Sequence, residues 1–517
     1  MKKGFTLIEL LVIIIILGII TLITTPIIRD ILDASEQRAY LNSSYGVVKA
    51  ADLYYSSSFN NEEKKDKISN FVNLLSELEL KGKKPELGMV HVNNKGKVGL
   101  ALKYEDRCYK KEFDEDVITT LDYNPVTCKV DNEAEEPEIV TEPNVPNLHD
   151  NMIAIKYDGS KWVKADKLNT AKEWFDYENL KWANAVTVTS TSREAYKTAA
   201  VGTEVLEEDI LTYMVWIPRY EYKIDGTYGK NGTSLTSPGE IEVNFTASTS
   251  PSSGYIMHPG FTFGSEELTG FWIGKFKSST TDAVCNTTAN ATNCNKYTHE
   301  IRIKPNVASL RNITLGNMFN VSLLLSNNSN YGYGNVESHM IKNSEWGAVA
   351  YLSQSKYGKY GTGTGEVWIN NSSTYITGCA GNNVSASSYA GCQNTYNTSN
   401  GQNASTTGTI YGVYDMSGEG FEYVMGNYKN TIGLSGLGSV PGAKYCDLYT
   451  TDMASTACLG DICYGHALSE TAGWYGGTPL FVFSTHPWFL RAGGGVFNRY
   501  ISNGRSDASY TFRLAHK

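Results

Sequence analysis

Charge is sparse in this 517-residue chain: Asp, Glu, Lys and Arg make up only 19% of it, with a net charge of −9. That balance gives no indication of a nucleic-acid surface for the chain as a whole, because such surfaces are basic. Catalytic signatures are missing too. The sequence has no nucleophile elbow, no H-E-x-x-H and no P-loop, so the chemistries those motifs carry have no foothold here. Histidines are scattered, with His258, His339, His466 and His486 standing apart. What is plentiful is Tyr, Gly, Asn, Ser and Thr, a composition that suits a β-rich surface protein. The length allows two or three domains.

The start of the chain organises the rest. Lys2, Lys3 and Gly4 precede an apolar run from Phe5 to Ile28 that carries one carboxylate, Glu9. About 20 apolar residues span a bilayer as a helix, and the two lysines would stay on the cytoplasmic side. A secretory signal would have a shorter core and its small residue after it; here Gly4 comes first. A carboxylate inside such a span costs about 2.5–3.5 kcal/mol at the bilayer centre, so Glu9 needs a partner. Cleavage after Gly4 would create one, the new ammonium of Phe5.

Gly4-Phe5-Thr6-Leu7-Ile8-Glu9 resembles the processing site of type IV prepilins. The resemblance implies that a prepilin peptidase cuts between Gly4 and Phe5 and N-methylates Phe5. It further implies that Glu9 pairs with the terminus of the adjacent subunit in a filament. Pro26 stands where pilin helices commonly carry a proline, which interrupts the hydrogen-bond ladder.

Helical apolar spacing continues through Ile31, Leu32, Ala34, Val47, Val48, Ala51 and Leu53. Residues 60–67 read as a charged loop, and Ile68, Phe71, Val72, Leu74, Leu75 and Leu78 as the stripe of a second helix. Residues 89–92, 98–102 and 107–109 read as strands, with Asn93-Asn94-Lys95-Gly96 as a hairpin turn. The pilin resemblance implies one long helix laid on a small antiparallel sheet. Cys108 and Cys128 are the only cysteines of this part. Paired, they would close a loop worth about 3 kcal/mol, as many pilins do at their C-terminal edge; two free thiols are the alternative.

Residues 131–150 are acidic and carry Pro137, Pro143 and Pro146; they read as a semi-stiff spacer. Residues 151–204 are tryptophan-rich and read as a small β-module whose aromatics form core rather than a sugar site.

A second resemblance begins near Ile210. Met214-Val215-Trp216-Ile217-Pro218, Gly270 to Phe276, Glu345 to Leu352, Gly412 to Tyr423, Leu490 to Gly494 and Tyr510 to Ala515 resemble, in order, segments of the formylglycine-generating-enzyme-like domain. That domain has a C-type-lectin-like fold. The enzymes of that family use a cysteine pair in the interval that here spans residues 495–509, which has no cysteine. Cys285 with Cys294 and Cys379 with Cys392 read as loop staples. Cys446, Cys458 and Cys463 form a trio with one odd member, in which a redox pair of Cys458 and Cys463 is the alternative to a structural disulfide. In the family the signature loop can hold calcium. Glu419, standing where the family has Asn, and Glu422 keep oxygen donors and leave calcium open; Glu422 bonded only to nearby backbone is the other reading. Asn498, Arg499, Tyr500, Asn503, Arg505, Asp507 and Tyr510 are residue types of adaptable binding surfaces, and lectin-like receptor-binding proteins resembling this family vary in the same final segment. Residues 351–368 and 382–407 read as long surface loops.

The expectation is therefore an α+β chain: leader 1–4, pilin domain 5–130 with its helix over 5–57, linker 131–150, β-module 151–204, and a loop-rich lectin-type domain over 205–517. The expected role is non-enzymatic: a minor, tip-located pilus subunit at the bacterial surface, anchored in the membrane before assembly. It would display a binding module towards a glycan, a protein or a cell. Its partners would be other pilin subunits and the prepilin peptidase, with no nucleic acid and no cofactor required. A surface-tethered oxidase and a pseudopilin of a secretion or DNA-uptake machine are the alternatives.

Overall fold

The computed structural model describes residues 7–58, 61–69, 73–93, 96–113, 115–125, 127–130, 145–225, 238–282, 285, 300–333, 336–450 and 463–517. It mixes helix with mainly antiparallel sheet and divides into two units, Met1–Val140 and Thr141–Lys517. Most of the expected linker lies outside the described residues.

In the first unit Leu7–Ser58 is one helix, with Pro26 inside it. Tyr40, Ser44, Val47, Ala51, Tyr54 and Ser58 are its buried stripe, three or four residues apart as a helix face requires. That face meets Leu74, Val90, Leu100, Leu102, Tyr104 and Tyr109. Tyr40 stacks on Tyr104 with ring centroids 4.8 Å apart, and its hydroxyl donates to Glu105 Oε1 at 2.8 Å. The N-terminal part differs: Leu11, Ile14, Leu17 and Leu22 are exposed. Over the described side chains, no helix is long and apolar enough to cross a membrane.

The expected second helix is displaced. Glu62–Ser69 is helical although residues 60–67 read as a charged loop, because Asn61 Oδ1 accepts from Lys64 N at 3.1 Å and so caps the first turn. Glu and Lys are also good helix formers. Phe71 and Val72 lie outside the described residues. Leu74 is buried from a turn rather than a helix, its amide donating to Val90 O at 2.8 Å.

Four strands, Leu87–Val92, Val98–Tyr104, Arg107–Lys111 and Thr119–Asp122, form an antiparallel meander in chain order. The first hairpin closes through Gly96 N to Asn93 O at 2.9 Å, and Gly96 has φ +78°, a conformation costly for other residues. Cys108, on the third strand, is bonded to Cys128.

The second unit is built on a seven-stranded sheet. Its spatial order is Ser338–Met340, Leu514–His516, Gly270–Gly274, Ile210–Pro218, Asn184–Val188, Ile153–Tyr157 and Trp162–Lys164. Residues 151–204 thus contribute three strands to the sheet that also holds the closing strand, rather than standing alone. Their tryptophans Trp162, Trp174 and Trp182 are core. The helix Asn343–Ser353 is buried along its whole length, and Gly347 lets it approach the Gly465 carbonyl, which an added Cβ would meet at 1.9 Å. A second sheet joins Phe421–Tyr428 to Asp447–Tyr449, Trp488–Arg491, Tyr500–Ser502 and Tyr510–Phe512. Cys379 and Cys392 form a disulfide. The expected surface loops are only partly at the surface: Ser355, Lys359, Ser405, Thr406 and Thr407 are buried.

Candidate functional site

Gly4 and Phe5 lie outside the described residues, while Glu9 and Pro26 fall in the backbone of the long helix.

In the second unit the closing segment is a hairpin between Trp488–Arg491 and Tyr500–Ser502, followed by the strand Tyr510–Phe512. Two of its seven candidate residues are committed inside. Asn498 is buried and its Oδ1 accepts from Thr478 N at 2.9 Å. Arg499 is buried and its Nε donates to Leu480 O at 3.0 Å; burial draws its guanidinium down to about 10. Tyr500 accepts from Thr478 Oγ1 at 3.1 Å and packs edge-on to Phe421. Tyr510 packs on Phe421 and Tyr423. Asn503 Oδ1 holds the turn by accepting from Arg505 N at 3.2 Å. Arg505 is exposed, with Nη2 3.4 Å from Asp507 Oδ2, and Asp507 Oδ1 accepts from Ser509 N and Oγ. Arg505 and Asp507 are therefore the charged pair this segment offers to solvent.

The turn before them walls a narrow cavity. Gly494, Gly495 and Asn498 form one side; Gln354, Glu366 and Tyr475 stand on others. Tyr475 Oη bonds the Gln354 side chain at 3.0 Å. Burial pushes the Glu366 carboxyl up to about 7, so near neutral pH it both donates and accepts hydrogen bonds. Ser353 Oγ, also in the wall, is spent on Ala350 O at 2.8 Å. The cavity, of about 10 Å³, has room for no more than a water-sized polar group. Reading by motif missed Glu366, although a signal existed: it is the single carboxylate between Glu345 and Asp415.

Glu419 and Glu422 do not fit calcium. Glu422 faces Arg513, with Nε 3.0 Å from Oε1. Arg513 also donates to Gly274 O and Tyr414 O, tying both sheets together. Glu419 lies 3.2 Å from Lys277 Nζ, and burial pushes its carboxyl up to about 7. A dication would have to displace a buried cation at either residue. Among the described residues no three His, Cys, Asp or Glu side chains gather to hold a metal.

Cys285 and Cys463 are disulfide-bonded; Cys294 and Cys458 lie outside the described residues. Cys446 is a buried free thiol whose pKa burial raises, which makes it a poor nucleophile.

Among curated proteins, none matches this chain. Residues 1–25 match the prokaryotic N-terminal methylation motif. The match supports a type IV pilin-like prepilin N-terminus, a motif typical of type IV pilins and pseudopilins.

Proposed function

We propose that this protein is a minor, tip-located type IV pilus subunit displaying its second unit as a lectin-like, formylglycine-generating-enzyme-like binding module. Prepilin peptidase cleaves between Gly4 and Phe5 and methylates Phe5. Phe5, Glu9 and the apolar helix then join the neighbouring subunits, with Pro26 loosening the helix. Before assembly the apolar run anchors the chain in the membrane. The observation that carries this reading is the methylation motif over residues 1–25. The exposed apolar side chains from Leu11 to Leu22 agree with it, since such a face needs a partner. A second unit this bulky is hard to repeat at every position of a shaft, which favours the tip. The binding face is the closing segment, with the Arg505–Asp507 pair at its surface, directed at an extracellular glycan, protein or cell surface. The role is display without catalysis, and no cofactor is required.

Native filaments imaged with an antibody to residues 151–517 test this. Tip or sparse labelling is the expected result, and dense regular labelling would make it a major subunit. The motif is shared with pseudopilins, so the second reading is a secretion or DNA-uptake pseudopilus. That reading expects label in the envelope and no filaments.

A further inference from the structure

A second cavity, of about 470 Å³, opens in the second unit away from the closing segment. Its wall carries Tyr177 and Glu178 from the turn Tyr177–Asn179, Glu221 and Phe245 from two paired strands, and Tyr357 beyond the buried helix. The three rings form a row, with centroids 5.1 Å apart from Tyr177 to Phe245 and 4.6 Å from Phe245 to Tyr357. Trp182 Nε1 fixes the Tyr357 backbone by donating to its carbonyl at 2.8 Å.

Two features give this wall a preferred charge. Glu221 is only 3% exposed, and its oxygens accept from Ser252 N at 2.6 Å and Asn244 Nδ2 at 3.4 Å. Among the described residues it meets no cation. The buried carboxylates Glu419 and Glu422 each face a cation, whereas Asp415 and Glu470 are held, as Glu221 is, by neutral hydrogen-bond donors; of these three, Glu221 is the one in the wall of this cavity. The second feature is Lys356. Its Nζ lies 4.6 Å over the Tyr357 ring and 3.4 Å from Glu178 Oε1. An ammonium of the chain itself thus already uses one ring and one carboxylate of the wall.

We infer that this cavity binds an alkylammonium group, of the kind carried by a choline-type head group or a lysine side chain. The aromatic row supplies the negative faces of its rings, and Glu178 and Glu221 supply charge. Cation–π contact and a carboxylate together distinguish such a ligand from a neutral one of the same shape. Lys356 would compete for the same wall.

The inference does not depend on the pilus reading and is tested separately from it. The detergent-solubilised full chain is titrated by calorimetry with choline, with N-acetyl-lysine methylamide, and with 3,3-dimethylbutanol, the uncharged counterpart of choline. One or both ammonium compounds should bind at least about tenfold more tightly than the alcohol, and the tighter of the two identifies the source. Glu221→Gln should weaken that binding. Because Glu221→Gln could perturb folding, Lys356→Met is the second variant: removing the internal competitor should strengthen binding a few-fold. Equal binding of the alcohol, or no ammonium binding by either the parent or Lys356→Met, would overturn the inference.

Discussion

The two units solve the same problem of burial by different means. The first lays an apolar helix stripe on a four-stranded meander, and its core is mostly hydrocarbon and tyrosine, although Lys111 is buried there too, on Val98 O and Glu112 O. The second buries ions: Arg513 with Glu422, Lys277 with Glu419, Arg491 on Asn343 and backbone carbonyls, and Lys275 on Asn184 and two carbonyls. Long irregular segments leave carbonyls without ladder partners, and buried cations collect them; Lys277 Nζ alone serves Gly418, Glu419 and Gly420. The lesson is that a loop-rich unit obtains definition from specific polar pins, where a helix-on-sheet unit obtains it from periodic apolar packing. Pins fail one at a time and are costly to break.

All nine tryptophans and seven of the eight histidines lie in the second unit, so tryptophan fluorescence reports its unfolding, while the first unit is followed by helix signal. The largest effect is expected from Arg513→Ala, which leaves Glu422 buried and unpaired. It should lower the stability of the second unit by about 3–5 kcal/mol in denaturant titrations, with little change in the helix-reported transition. The converse is replacement of Cys108 and Cys128 by serine. Removing that cross-link should lower the first unit by about 3 kcal/mol and leave the fluorescence transition in place. Gly347→Ala comes next: its Cβ must push the Gly465 carbonyl away, an overpacking cost of about 1–3 kcal/mol.

Acid separates the units more gently. Burial holds His149, His258, His466 and His516 below the ordinary histidine range. A depressed native pKa contributes stability that is complete above the unfolded value, near 6.5, and is lost as pH falls below it. The fluorescence transition should therefore move to lower denaturant as pH drops from about 7 to about 5, and the first unit should move less. Glu419 opposes this trend. Its raised pKa favours the folded state at low pH, and that contribution is lost as pH rises through about 7. The smallest effect is at Glu366. Glu366→Gln should leave stability unchanged near pH 5 and raise it slightly near pH 8, where the parent must hold a half-buried charge. A variant indistinguishable from the parent at both values would remove that account of the cavity.

Much of this comparison was legible in the sequence, for physical reasons. The stripe through Val47 and Ala51, the hairpin at residues 93–96 and the helix over Glu345 to Leu352 follow from period and turn chemistry, which are local. Partnership is not local. The charge of residues 60–67 suggests an exposed loop, whereas Asn61 caps a helix there. Asn498 and Arg499 looked like surface because their types suit binding, yet Thr478 and Leu480 claim them from twenty and nineteen residues away. The tryptophans of residues 151–204 are core, as their type predicts, but the sheet they belong to also holds Leu514–His516, a pairing no local pattern reveals.

The most direct test of the central claim is the mass of the N-terminal peptide of the native protein sheared from cells. A pilin-like subunit gives a chain beginning at Phe5 and carrying one added methyl group on its amine. A terminus still at Met1, or one created beyond the apolar run, would contradict processing as a pilin-like subunit and with it the display role.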